Sequence, residues 1–156
     1  MKKTNKLTIS AMVIAIYIVL MFATQGFAFG AYQIRIATSL YSLSYLFPFL
    51  IIPLGIANLL SNTLMGGLGI FDIVGGITVG MITSTLVYLV KRFKLKQWLV
   101  ALPIIFGPGL IVPIWLAPIL GLPYTVLAIS LCIGQVLPGI VGAILVRQLE
   151  RVWPQK

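Results

Sequence analysis

The sequence predicts an all-α integral membrane protein in which a single domain, residues 1–156, holds six transmembrane helices. Three observations carry that expectation. First, 60% of the 156 residues are hydrophobic and only 8% are charged, a ratio at which a soluble domain could not cover its apolar surface. Second, a span takes about 20 residues at a rise of 1.5 Å per residue, so the chain has room for about six spans and none for a soluble domain. Third, the basic residues gather in clusters between the apolar runs, and their spacing counts the crossings.

Lys2, Lys3 and Lys6 precede the first apolar run, helix 7–24, and positives just outside a span mark its cytoplasmic side. The run is longer than a signal-peptide core and lacks a small-residue cleavage site, so it is expected to stay as a helix. Ala11 and Ala15 lie four apart on one of its faces. That spacing lets a second helix approach closely in lipid, whether a partner's or one of this chain's own. A connection rich in glycine and aromatics follows on the far side. Residues 36–64 number only 29 and are interrupted by Pro48 and Pro53, and proline removes a backbone donor and ends or bends a helix. They form either one kinked crossing or two short ones, 36–47 and 48–64. Next come helix 72–90, followed by Lys91, Arg92, Lys94 and Lys96, then 98–116 and 124–149, the last ending among Arg147, Arg151 and Lys156. One crossing by 36–64 would put both later basic clusters outside, whereas two crossings put all three clusters inside. Six helices with both termini cytoplasmic are therefore predicted, with Arg35 the lone basic residue outside.

Polar residues in this apolar chain concentrate between positions 33 and 72, as Gln33, Arg35, Thr38, Ser39, Asn58, Asn62 and Asp72. The predicted topology brings this stretch to the outer half of the bundle, beside Trp115. Gln135, about 11 residues into the last helix, joins it from within the membrane, where polar groups are costly unless paired or functional. Gln33, Arg35, Thr38, Asn58, Asp72, Trp115 and Gln135 are the candidate ligand-binding residues, and a small polar solute entering from outside is the natural occupant. Several of these have a structural alternative. Asp72 is well placed as the N-cap of the helix that follows it, and Arg35 could pair with Asp72 to staple two loops. Asn58 and Asn62 could bond helix to helix. Trp115 could anchor at the membrane interface, and Gly76, Gly80 and Ser84 suit helix packing.

Catalytic classes fit poorly. The only acids are Asp72 and Glu150 and there is no histidine, which leaves no carboxylate pair in the membrane, no nucleophile with a base and no phosphate-binding Gly-rich loop. The usual metal sites are excluded for the same reason, and Cys132, the one cysteine, has no partner for an internal disulfide. A small channel or a membrane assembly subunit remains as an alternative. Neither explains why polar groups would gather at one face.

The ordered set Gly30-Ala31-Tyr32-Gln33-Ile34-Arg35-Ile36, Leu40 with its proline-broken helices, Ala57-Asn58-Leu59-Leu60, Gly67-Leu68-Gly69-Ile70-Phe71-Asp72 and Gly134-Gln135 resembles the QueT family. These are substrate-binding (S) components of energy-coupling factor (ECF) transporters for queuosine precursors. The resemblance covers most of the chain. It implies a six-helix S component in the bacterial cell membrane that captures a 7-deazaguanine or queuine from outside, with another vitamin-like solute as the alternative. It also implies partners: a transmembrane coupling protein and two ATPases, docked on a first helix whose Ala-xxx-Ala motif is matched by Ala11 and Ala15. The chain itself needs no cofactor on this reading, because ATP is used by the partner subunits. Two positions depart from the pattern. The family follows its Gln-x-Arg with x-Ser-Glu-Ala-Leu, so Thr38 stands where a glutamate is expected, and Gln135 takes the place of a second glutamate in the last helix.

Overall fold

The computed structural model describes residues 2–29, 32–65 and 67–153. Gly30, Ala31 and Gly66 of the predicted outer loops and Lys156 of the last basic cluster lie outside the described residues. The described chain is an all-α bundle, and five of its helical segments are long and apolar enough to cross a membrane.

Helix α1 spans Lys3–Ala23, beginning four residues earlier than the apolar run alone suggested, and the connection after it contains a single helical turn, α2, Gln25–Ala28. The predicted pair 36–47 and 48–64 takes a different form. Ile36–Tyr45 is a ten-residue 3-10 helix, a second 3-10 turn covers Pro48–Leu50, and α3 runs from Ile51–Met65. Such a long 3-10 run is uncommon, and its surroundings explain how it persists. Ala37, Thr38, Ser39, Tyr41, Ser42, Ser44 and Tyr45 are all buried, and non-standard helical backbone at membrane depth survives only where protein shields it from lipid. Hydroxyls support it from within: Thr38 donates to the Arg35 carbonyl at 2.6 Å, and Ser44 to the Tyr41 carbonyl at 2.7 Å and the Ser84 carbonyl at 2.7 Å. Ten residues at about 2.0 Å rise reach about 20 Å, which an α-helix of that length could not.

The 3-10 helix therefore makes a traverse, although it is not itself long enough to count among the five spans. Its first residue follows Arg35, whereas its last, Tyr45, lies beneath the Lys91 ammonium at 5.4 Å. Beyond it, Phe47 and Phe49 contact each other, Phe47 meets Trp153 near the chain's end, and the Lys6 ammonium sits 5.7 Å from the Phe49 ring. Both described ends thus share one end of the bundle, which we term the basic end. That requires an even number of traverses, and the 3-10 segment supplies the sixth.

Helix α4, Ile70–Arg92, starts two residues before Asp72, so the expected Asp72 N-cap is replaced by Gly69, whose φ of 93° lies where glycine is at ease. A 3-10 turn, Gln97–Val100, leads into α5, Ala101–Ile111, and α6, Pro113–Leu120; α7, Tyr124–Val152, closes the bundle. Packing of α3 on α4 depends on Gly80. A Cβ there would stand 2.9 Å from the Gly55 Cα, the close backbone approach that joins helices in lipid.

The layout is open to a direct check. Cysteines placed at exposed Leu68 and exposed Lys96 in a Cys132→Ser background are expected to differ toward an impermeant maleimide, position 68 reacting in intact cells and position 96 only after the membrane is opened. Labelling at position 96 in intact cells would refute the six-helix layout.

Candidate solute-binding site

The sequence drops its polar residues where several separate elements meet, and the structure connects them into one network at the end opposite the basic clusters. Arg35, only 6% exposed, is its centre. Its Nε donates to the Ala28 carbonyl at 3.3 Å, and its Nη1 donates to Asn62 Oδ1 at 3.1 Å and Asn58 Oδ1 at 3.5 Å. The guanidinium also lies 4.8 Å from the Phe29 ring centre, a cation–π arrangement. The two amides complete their bonding on other elements. Asn58 Nδ2 donates to the Tyr41 hydroxyl at 2.8 Å and the Gly76 carbonyl at 2.9 Å, and Asn62 Nδ2 to the Asp72 carbonyl at 3.0 Å. Tyr41 then shares a 3.1 Å hydrogen bond with Tyr17 of α1.

The expected Arg35–Asp72 pair is not formed among the described residues. Asp72 Oδ2 accepts from the Leu68 N–H at 3.2 Å and Oδ1 from the Trp115 indole at 3.1 Å. The carboxylate, at the third position of its helix, reaches back to a free donor before it. Trp115 is held against the helix because Gly75 gives it room: a Cβ on Gly75 would meet the ring's Cε2 at 2.6 Å. Asn62 therefore stands between the cation and the acid, bonding the guanidinium and the Asp72 backbone rather than its charge.

The other half of the site joins positions 97 residues apart. Thr38 Oγ1 donates to Gln135 Oε1 at 2.7 Å, and Gln135 Nε2 donates to the Gln33 carbonyl at 3.0 Å. A hydroxyl has a single proton, so Thr38 divides it between Gln135 and the Arg35 carbonyl. Gln33 holds φ at 43°, a left-handed conformation uncommon outside glycine, and this turns its carbonyl toward Gln135. Gln33, Arg35, Thr38, Asn58 and Gln135 line one chamber together with Tyr41 and the apolar Val79, Val112 and Leu131. The chamber encloses only about 10 Å³, about enough for one water. On its outer side a vestibule of about 360 Å³ opens between Phe29, Leu68, Leu122 and Leu127, with Gln33 common to both spaces.

Five of the seven sequence-derived candidates thus share the chamber, while Asp72 and Trp115 form a pair outside its lining. Sequence reasoning misses Tyr41 and Tyr17, and it reads Asn62 as an amide that bonds helix to helix rather than as a site residue. The available signal was a phenol inside the densest polar run, at Tyr41. Tyr17 gave none, since it lies in an apolar helix 24 residues away.

Chemically, the chamber offers a cation, amides and hydroxyls against apolar walls. It has no carboxylate in its lining, no nucleophile with a base, and no group of three or more metal-ligating acids, cysteines or histidines among the described residues. A helical bundle of this kind, with a polar chamber sunk in one end, belongs to a membrane transporter rather than to a soluble binding domain. The QueT transporter family model matches residues 7–151, and the chain belongs to that family. No curated protein and no solved structure matches it.

Proposed function

We propose that the protein is the S component of an ECF-type uptake transporter in a bacterial cell membrane, binding a queuosine precursor of the 7-deazaguanine class. The observation that carries this reading is the state of Arg35. A guanidinium has five N–H donors, and three acceptors serve this one among the described residues, which leaves part of its planar fork for a solute's carbonyl and ring nitrogen. Gln135 adds an amide whose donor and acceptor suit a lactam or amidine edge. Val79, Val112 and Leu131 are walls against which a flat ring can lie. The chain captures solute without chemistry of its own, and a transmembrane coupling protein with two ATPases drives the uptake. In this reading the basic end, with both termini, faces the cytoplasm.

Mass spectrometry of small molecules released from detergent-purified protein tests the proposal. A stoichiometric deazaguanine is expected; its absence from protein expressed in cells that make or import such bases would exclude the substrate. A stoichiometric flat solute of another class would retain transport and replace the substrate.

The coupling protein is expected to dock on α1. Ala11 and Ala15 are exposed, among Leu7, Met12, Ile16 and Val19 on the same uncovered side. Ala15→Trp places a bulky ring where two backbones must approach, so complex formation should drop at least ten-fold while solute binding by the isolated chain is retained. Unchanged co-purification with the coupling and ATPase subunits would remove α1 as the docking face.

A further inference from the structure

The basic end carries a groove that solute capture does not use. It is about 910 Å³ and runs between the end of α4, the turn that follows it and the last third of α7. Lys91, Lys94, Lys96 and Arg147 line it together with Trp98 and Ile144. No acid lines it. The nearby Glu150, the second of the chain's two acids, is hydrogen-bonded by the Gln97 side chain.

We propose that this groove binds the headgroup of an anionic phospholipid, with the phosphate among Lys91, Lys94, Lys96 and Arg147 and the first acyl carbons against Trp98 and Ile144. Charge complementarity selects the occupant: four cations face an apolar wall at the level where the bundle leaves the bilayer, the arrangement that holds phosphate headgroups at basic pockets between spans. A tryptophan at the same level is typical of the headgroup region.

Lys94 makes the case sharper. It follows the α4 C-cap Phe93 and has φ of 54°, while the next residue, Leu95, donates to the Val90 carbonyl at 2.9 Å. This is a Schellman-type helix end, in which glycine is the usual occupant of the left-handed position. A lysine stands there instead. The local backbone gains nothing from that side chain, whereas a phosphate in the groove does.

The same position gives a clean experiment. Native mass spectrometry of the full chain, titrated with an equimolar mixture of phosphatidylglycerol and phosphatidylcholine, should show selective phosphatidylglycerol adducts. Lys94→Gly relieves the backbone, so it should raise the melting temperature while lowering phosphatidylglycerol affinity about five-fold, the change expected for loss of one cation near a lipid surface. Adding Arg147→Gln should bring the loss to about 25-fold. Replacing Lys2, Lys3 and Lys6 with glutamine removes more charge from the same end but should leave the selectivity in place. Equal retention of the two lipids, or selectivity that survives the double variant, would overturn the proposal. Displacement of the lipid by millimolar inorganic phosphate alone would reassign the groove to free anions. Loss of coupling-subunit binding in Lys94→Gly with unchanged lipid selectivity would make it a protein interface instead.

Discussion

Arg35→Gln is expected to weaken binding of the proposed solute, assayed as a 7-deazaguanine nitrile, by at least about 100-fold. A hydrogen bond to a charged group contributes about 1.5–3 kcal/mol, so losing two from the guanidinium to the solute costs a factor of about 10² or more. The substitution also leaves the Asn58 and Asn62 side-chain oxygens, both of which now accept from Arg35, to share what a single amide can donate. Asp72→Asn is the paired control. Its carboxylate bonds Leu68 and Trp115 and does not line the chamber, so affinity should stay within a few-fold while thermal stability falls. Calorimetric titration, with circular dichroism to confirm helicity, distinguishes the two. Wild-type affinity in Arg35→Gln would sink the central role of the guanidinium.

The second large effect concerns ligand charge. Thr38 and Gln135, the two positions at which the family resemblance leads one to expect glutamates, are bonded directly to each other. Two carboxylates in that contact could share a proton or clasp an ammonium between them; a hydroxyl and an amide are content as a neutral pair. With Arg35 as the only charge among the described residues that line the chamber, an aminomethyl ligand meets a like charge. At an effective dielectric of about 20 and a separation of about 7 Å, that repulsion is about 2 kcal/mol. The wild type should therefore favour the neutral nitrile over the amine by about ten-fold or more. Gln135→Glu replaces the donor to the Gln33 carbonyl with an acceptor, so two oxygens would face each other with a natural place for an ammonium between them. That variant, and Thr38→Glu, should reverse the preference. Titration of both ligands into all three proteins decides the matter, and a strong amine preference in the wild type would refute the argument.

Much of this arrangement is legible in the sequence, and the limits of that legibility are physical. Composition sufficed for the membrane class. The basic clusters gave the even number of traverses, because charge placement depends on topology and not on helix type. The helix type was hidden: a run such as Ile36–Tyr45 reads as a short α-helix, and its 3-10 form depends on being enclosed on nearly every side, which only the tertiary fold determines. The convergence of Arg35, Asn58 and Gln135 was visible because polar residues in lipid must find one another. Their pairing was not. Opposite charges suggested Arg35 with Asp72, yet the carboxylate is held by a helix start whose position depends on the backbone at Gly69, and the cation is met by two amides one turn apart on α3. Tyr17 joined the network through a contact between helices, and nothing in its own neighbourhood marks it.

The closed chamber changes how affinity should be understood in this protein. A space of about 10 Å³ is roughly an order of magnitude too small for a bicyclic base, so the conformation described here is one that solute must displace. Binding is then an equilibrium between two populations, and the measured dissociation constant is the intrinsic one divided by the open fraction. If about 1% of molecules are open, about a hundred-fold of potential affinity is held back. The Thr38–Gln135–Gln33 bonds then act as competitors of the ligand as well as its partners, since the groups that would hold a base are those that hold each other in its absence. A substitution that weakens this self-association without touching the ligand would tighten binding, and slow association that accelerates in such a variant is the kinetic sign of it.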